Sequence, residues 1–192
     1  MEQNGFRSQS ARGNFDGSFD QLILDALLET QDAEIAFSPG FRWGTSILPG
    51  EPITFEDVMN MTAITYPYVT NNVITGEQLK NLLEDICHNL FNPDPYCQQG
   101  GDMVRVGGLQ YACEPTQKIV FKINNLRLNG KPIDASRSYK LSGWAPVGND
   151  ANGRPVWEVL TDYLRSKKTV KAPKLNRPQL ADTSGNPGFS KQ

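Results

Sequence analysis

The residues best suited to chemistry sit in loops, and the sharpest is Arg42. It stands between Phe41 and Trp43 in Ser38-Pro39-Gly40-Phe41-Arg42-Trp43-Gly44, directly after the apolar run Ala33 to Phe37. A guanidinium placed there, at the carboxyl end of a strand, can hold an anion through two parallel hydrogen bonds. An arginine stacked on its aromatic neighbours in a structural turn fits the same spacing. A second candidate is Gly100-Gly101-Asp102-Met103-Val104-Arg105-Val106-Gly107-Gly108. It matches neither G-x-x-x-x-G-K-[ST] nor G-x-G-x-x-G leading into a helix, so it reads as close backbone approach rather than a phosphate loop. A third is Ser142-Gly143-Trp144-Ala145-Pro146-Val147-Gly148-Asn149. There Trp144 is either the aromatic wall of a pocket or a core tryptophan. His88, on a helix beside Cys87, reads as a surface or capping histidine, and Glu84-Asp85 as a solvated face. With one histidine in the chain, no Ser/His/Asp or Cys/His set can be built.

These loops need elements to hold them. Ser18-Phe19-Asp20-Gln21 has the form of a capping box, opening an amphipathic helix over 19–30 with Leu22, Ile23, Ala26 and Leu27 on one stripe. Thr54 with Asp57 caps a brief helix through Met59. Thr75-Gly76-Glu77-Gln78 opens the best helix, with Leu79, Leu82, Leu83, Ile86 and Leu90 aligned, and Asn92-Pro93 ends it. The middle is β in character. Met103 to Val106, Leu109 to Cys113, the alternating Ile119, Phe121 and Ile123, and Ser138 to Trp144 read as strands, with Asn129-Gly130 as a hairpin turn. Arg154 to Leu164 is the last helix. The class expected is α+β: one domain of about three helices on a mixed sheet over 18–165, preceded by a linker or remnant at 1–17 and followed by a basic, Pro-containing tail at 166–192.

The bulk properties narrow the function. The chain has 192 residues, 38% hydrophobic, enough for a core. No run approaches the roughly 20 apolar residues of a membrane-spanning helix. Met1 to Gly5 has neither the basic start nor the apolar run of a secretion signal, so the protein is cytoplasmic or its signal lies elsewhere in the gene. A net charge of −2 gives nucleic acid no general hold. From Arg165 onward, however, seven basic residues face one acidic residue, a tail suited to an acidic partner or to folding back on its own domain. Three cysteines, Cys87, Cys97 and Cys113, leave open one bridge plus a free thiol, or three thiols. A single histidine cannot supply a zinc site at the usual spacing, nor the two-metal centre of a hydrolase, from this chain alone.

Three stretches come in a telling order: Phe37 to Gly44, Thr75 to Leu79, and Gly101 to Leu109. The longer runs Asn92 to Gly108 and Tyr139 to Val147 extend them. Together they resemble the C-terminal domain of the 5′-nucleotidase-type metallophosphoesterases, and within that family its thiosulfohydrolase (SoxB) branch, from about Gly13 to Gly188. The resemblance implies half an enzyme. The family's N-terminal domain, with D-x-H and N-H-E motifs absent here, carries two metal ions, manganese in this branch. This chain would bind none and be inactive alone. Its C-terminal domain lends substrate-binding residues to the cleft between domains. The substrate implied is a cysteine S-thiosulfonate on the arm of the SoxYZ carrier, hydrolysed with release of sulfate.

By the same resemblance Arg42 falls where the nucleotidases hold substrate, and Met103 where they place one of two base-stacking phenylalanines. Trp144 lies near the second, and Arg105 stands at a usually uncharged polar place. The implied substrate-binding residues are thus Arg42, Phe41, Trp43, Met103, Arg105 and Trp144. Loss of one stacked aromatic removes about 1–3 kcal/mol from base binding, which favours a slim peptide arm over a nucleotide. Two other readings stand beside this one: the matching domain of a true 5′-nucleotidase, and a non-catalytic module that docks the carrier. The resemblance also implies the periplasm, where Cys87 and Cys113 are expected to pair. A Pro-rich tail carrying Leu175 and Leu180 is expected to wrap the N-terminal domain rather than its own.

Overall fold

The computed structural model describes residues 17–40, 46–64, 66–99, 102–144 and 153–181. Helix α1 (Ser18–Thr30) opens the fold, followed by β1 (Ile35–Ser38), α2 (Phe55–Met61) and β2 (Val69–Thr75). Then come α3 (Gly76–Leu90), a 3-10 turn at Pro95–Cys97, β3 (Arg105–Gly107) and β4 (Leu109–Cys113). The chain closes with β5 (Ile123–Leu128), β6 (Lys131–Pro132), β7 (Ser138–Trp144), α4 (Val156–Lys167) and β8 (Gln179–Leu180). The strands form two four-stranded sheets, in the orders β2-β7-β1-β3 and β6-β5-β4-β8. Both are mixed: β1 runs parallel to β7 and β8 parallel to β4, while the remaining pairs are antiparallel. The α+β expectation holds, with four helices among the described residues against the three or so expected.

Alternation along the first sheet divides the core in two. Ala36 and Trp144 face one side, where they meet Phe19, Ile23 and Leu27 of α1 and Val156, Val159 and Leu160 of α4. Ile35, Phe37 and Tyr139 face the other, against Leu79, Leu83 and Cys87 of α3 and the inner face of the second sheet. Successive strand residues point to opposite faces, so β1 seals both cores at once. Burying each of these large side chains contributes about 1.5–3 kcal/mol.

Local signals explain most boundaries. Thr54 with Asp57, and Thr75 with Gln78, form complete capping boxes. Asn129 (φ 51°) and Gly130 (φ 76°) both take left-handed backbone, the geometry a two-residue hairpin between β5 and β6 demands. The Ser18 capping box does not form. Gly17 caps α1, and Gln21 instead donates to Asp25 at 2.8 Å and accepts from the Asn176 backbone at 2.9 Å.

That second contact corrects the expected tail. After α4 the chain turns back on its own domain. Asn176 donates to the carbonyls of Val106 (2.9 Å) and Leu109 (2.8 Å), and Gln179–Leu180 pair alongside Ala112–Cys113. A second correction concerns Ile119 to Phe121, expected as strand. Glu84 of α3, 2% exposed rather than solvated, accepts backbone N–H groups from Val120 (3.0 Å), Lys122 (3.1 Å) and Ile123 (2.9 Å). Lys80 adds a salt bridge at 3.1 Å. Gathering three amides onto one carboxylate bends the chain, with Val120 at φ 81°, unfavourable for a β-branched residue.

Candidate functional site

The described part of the site is the root of the loop that carries Arg42. Ser38 ends β1 fully buried, and its Oγ accepts the Trp144 indole N–H at 2.8 Å. Two residues on, the Gly40 carbonyl accepts from Arg105 Nη2 at 3.1 Å, while Nη1 of the same guanidinium donates to the Met103 carbonyl at 3.0 Å. Arg105 Nε lies 3.5 Å from Asp20 Oδ2, an ion pair with both side chains inaccessible. The arginine therefore ties three segments together: α1, the end of β1 and the entry to β3.

Only glycine fits at position 40. A Cβ there would fall 2.5 Å from the Met103 carbonyl oxygen and 2.6 Å from Asp102 Cβ. The close approach is what lets the guanidinium reach the Gly40 carbonyl. Asp102 lies at this crossing too. Burial pushes its carboxyl above the usual range, Arg105 opposes that, and the Asp20 charge adds to it.

Phe41, Arg42 and Trp43 lie outside the described residues, as do Ala145 to Asn149. Met103, Arg105 and Trp144 converge on Ser38 and Gly40, but as supports. Met103 and Arg105 are 0% exposed and Trp144 is 4% exposed. Trp144 could be read as a pocket wall or a core tryptophan, and Met103 as the replacement of a stacking aromatic. Met103 joins the core, and the indole N–H finds its partner in Ser38, as buried tryptophans require. Sequence reasoning missed Asp20. Its signal was a carboxylate on the apolar stripe of α1, between Phe19 and Leu22, where a charge needs a partner.

A second buried polar cluster surrounds Cys87 and Cys113. Their sulfurs are 3.3 Å apart and hydrogen-bonded, and both stand as free thiols in this structure. The hydrogen bond from Cys113 lowers the Cys87 thiol, with help from Lys122, and the same interaction raises Cys113. Lys122, also buried, donates to the Pro115 carbonyl. Cys97 is exposed on the 3-10 turn. His88 sits in the last turn of α3, its Nε2 3.1 Å from Asn92 Nδ2. Among the described residues no three His, Cys, Asp or Glu side chains are placed to hold a metal ion.

Two open grooves lie elsewhere. One of about 850 Å³ runs between Leu48–Val58 and the end of α4, lined by Phe55, Arg165 and Lys168. The other, about 710 Å³, separates the end of α3 from Pro115–Ile119. Ser38, Gly40, Met103, Arg105 and Trp144 line neither. No helix among the described residues is long and apolar enough to cross a membrane.

Residues 2–166 match the family described as 5′-nucleotidase, C-terminal domain. Among solved structures, the sulfate thiohydrolase SoxB of Thermus thermophilus, in complex with glycerol, is similar at 34% identity, with a TM-score of 0.79. The similarity covers 88% of this chain and 33% of that one. A 5′-nucleotidase precursor, also from Thermus thermophilus, superposes with a TM-score of 0.72 at 19% identity, over 94% of this chain and 38% of that one. The NAD nucleotidase NadN of Haemophilus influenzae does so at 0.67 and 16%, over 86% and 33%. The last two share the fold. This chain spans about a third of the length of these proteins. No curated protein matches the sequence.

Proposed function

The chain belongs to the 5′-nucleotidase C-terminal domain family of hydrolases, and from that premise we propose that it is the substrate-binding domain of a two-domain thiosulfohydrolase of the SoxB type. The observation that carries this reading is the 34% identity to a sulfate thiohydrolase across 88% of the chain, against 16–19% for the nucleotidases. The substrate is a cysteine S-thiosulfonate on the SoxYZ carrier, met in the periplasm. Water delivers oxygen to the terminal sulfonate sulfur and the S–S bond to it breaks. Sulfate and a proton leave, and the arm retains a persulfide.

This chain does not fit the two manganese ions expected of the thiosulfohydrolase branch. It has one histidine, and its described residues offer no ligand group. Metal chemistry belongs to the N-terminal domain, its partner. What this chain supplies is binding and orientation. Arg42 clamps the sulfonate through its two-pronged guanidinium, and Phe41 and Trp43 flank the arm. Arg105, Met103 and Trp144 act one step back as positioning residues. They fix Ser38 and Gly40, from which the Arg42 loop departs. A clamp set on a rigid root keeps its orientation when the arm enters, so little ordering cost is left for binding.

The test is an NMR titration of the chain with a thiosulfonated cysteine peptide and, separately, a nucleoside monophosphate, at concentrations into the millimolar range. Shifts with the peptide, lost in Arg42→Ala, are expected. A charge-assisted pair of hydrogen bonds is worth about 1.5–3 kcal/mol, so that variant weakens binding roughly ten- to hundred-fold. Shifts with the nucleotide alone would overturn the substrate assignment, and unchanged peptide binding by Arg42→Ala would overturn the clamp.

A further inference from the structure

Cys87 and Cys113 occupy one layer of the second core, on α3 and β4, and neither exposes any surface. Their sulfurs are 3.3 Å apart across two elements that Glu84 and β5 already hold in place. Reaching the covalent separation of about 2.05 Å asks each sulfur to move only about 0.6 Å, within the reach of a small side-chain rotation. Buried cysteines that serve only as apolar filler have no need to face one another. Cys97 stands apart on its exposed turn, its thiol 3.8 Å from Asp94 Oδ2.

We propose that Cys87 and Cys113 form a dithiol modification site that closes to an intradomain disulfide by exchange with an oxidised thiol, leaving Cys97 free. Cys87, as its thiolate, attacks the donor disulfide R–S–S–R and expels one R–S⁻. Cys113 then loses its proton and attacks the Cys87 sulfur of the mixed disulfide. The Cys87–Cys113 bond forms and the second R–S⁻ leaves. Two electrons pass from the pair to the donor, and the two thiol protons end on the departing thiolates. With both sulfurs inaccessible in the folded domain, exchange occurs before the core closes over them, and the finished bond is shielded from reductant. It fastens α3 to β4 one helical turn beyond Glu84, the carboxylate that shapes the 120–123 turn. The inference rests on sulfur geometry and is independent of the substrate reading above.

The experiment refolds the full chain from denaturant in a mixture of reduced and oxidised glutathione. The product is quenched with acid, unfolded and alkylated with N-ethylmaleimide, then read by intact mass and by a non-reducing peptide map. One adduct, on Cys97, a loss of two hydrogens and a cross-linked pair of peptides bearing Cys87 and Cys113 are expected. Cys97→Ser should form the same bond with no adduct, and Cys113→Ser should form none and take two adducts. Three adducts on the wild-type chain would overturn the proposal. So would glutathione retained on Cys87 or Cys113, or an internal bond that includes Cys97.

Discussion

Breaking the Arg105–Asp20 pair is the most informative perturbation. Arg105→Met removes the cation, strands the inaccessible Asp20 carboxylate and deprives the Gly40 and Met103 carbonyls of their donor. Uncompensating one partner of a buried pair costs about 3–5 kcal/mol, and each orphaned carbonyl adds about 1 kcal/mol. The total, about 5–7 kcal/mol, approaches the whole stability of a small domain. Arg105→Lys keeps the charge but cannot reach both carbonyls, so about 1–2 kcal/mol is expected. Adding Asp20→Asn to Arg105→Met relieves the charge and should recover about 2–3 kcal/mol. Equilibrium urea unfolding of the parent, Arg105→Met, Asp20→Asn and the double variant, followed by tryptophan fluorescence, closes the cycle, with Arg105→Lys measured alongside. If Arg105→Met costs less than about 1 kcal/mol, or Asp20→Asn gives it no rescue, the guanidinium is not what holds the root of the Arg42 loop.

Glu84→Gln keeps the shape of the amide clamp and removes its charge. Amide hydrogen exchange at Val120, Lys122 and Ile123 should accelerate at least ten-fold, since hydrogen bonds to a charged acceptor are worth about 1.5–3 kcal/mol. Asp102 binds its proton more tightly folded than unfolded, so its contribution to stability falls as pH rises through its raised pKa and stays low above it. Asp102→Asn should therefore raise the melting temperature at neutral pH, with the gain vanishing in acid; an equal gain at every pH would contradict the assignment. Asn176→Ala loses two side-chain hydrogen bonds to strand carbonyls, and limited proteolysis should then cut between Lys168 and Gln179 faster than in the parent.

Where short-range chemistry decides, the fold is legible in the sequence. Thr75-Gly76-Glu77-Gln78 and Asn129-Gly130 carry their turn or cap in their own atoms, and β7 spans Ser138–Trp144 as its alternation indicates. Distant partners undo the same reasoning elsewhere. Ile119 and Phe121 alternate like a strand, yet a carboxylate on α3 draws the intervening amides into a turn. Gln21 looks like half of a capping box until Asn176 claims it. β2 escaped notice because Asn71-Asn72 interrupts its apolar run, although it pairs with β7 along its entire length. At the site, Arg105 stands in its glycine-rich stretch at a place the resemblance marks as uncharged and polar. Its role depends on Asp20, which no local pattern connects to it.

The return of the tail sets an order of assembly. Among the described residues β4 has β5 on one side and Gln179–Leu180 on the other, and the latter follow every other described strand in the chain. A chain that emerges N-terminus first can complete the β2-β7-β1-β3 sheet while β4 still shows a row of unpaired N–H and C=O groups. Such an edge accepts any extended segment of matching chemistry. In a crowded population of half-made chains, the nearest match is the same strand of a neighbour. Slow delivery of residues 176–181 thus favours exchanged tails and paired molecules, and prompt delivery favours monomers.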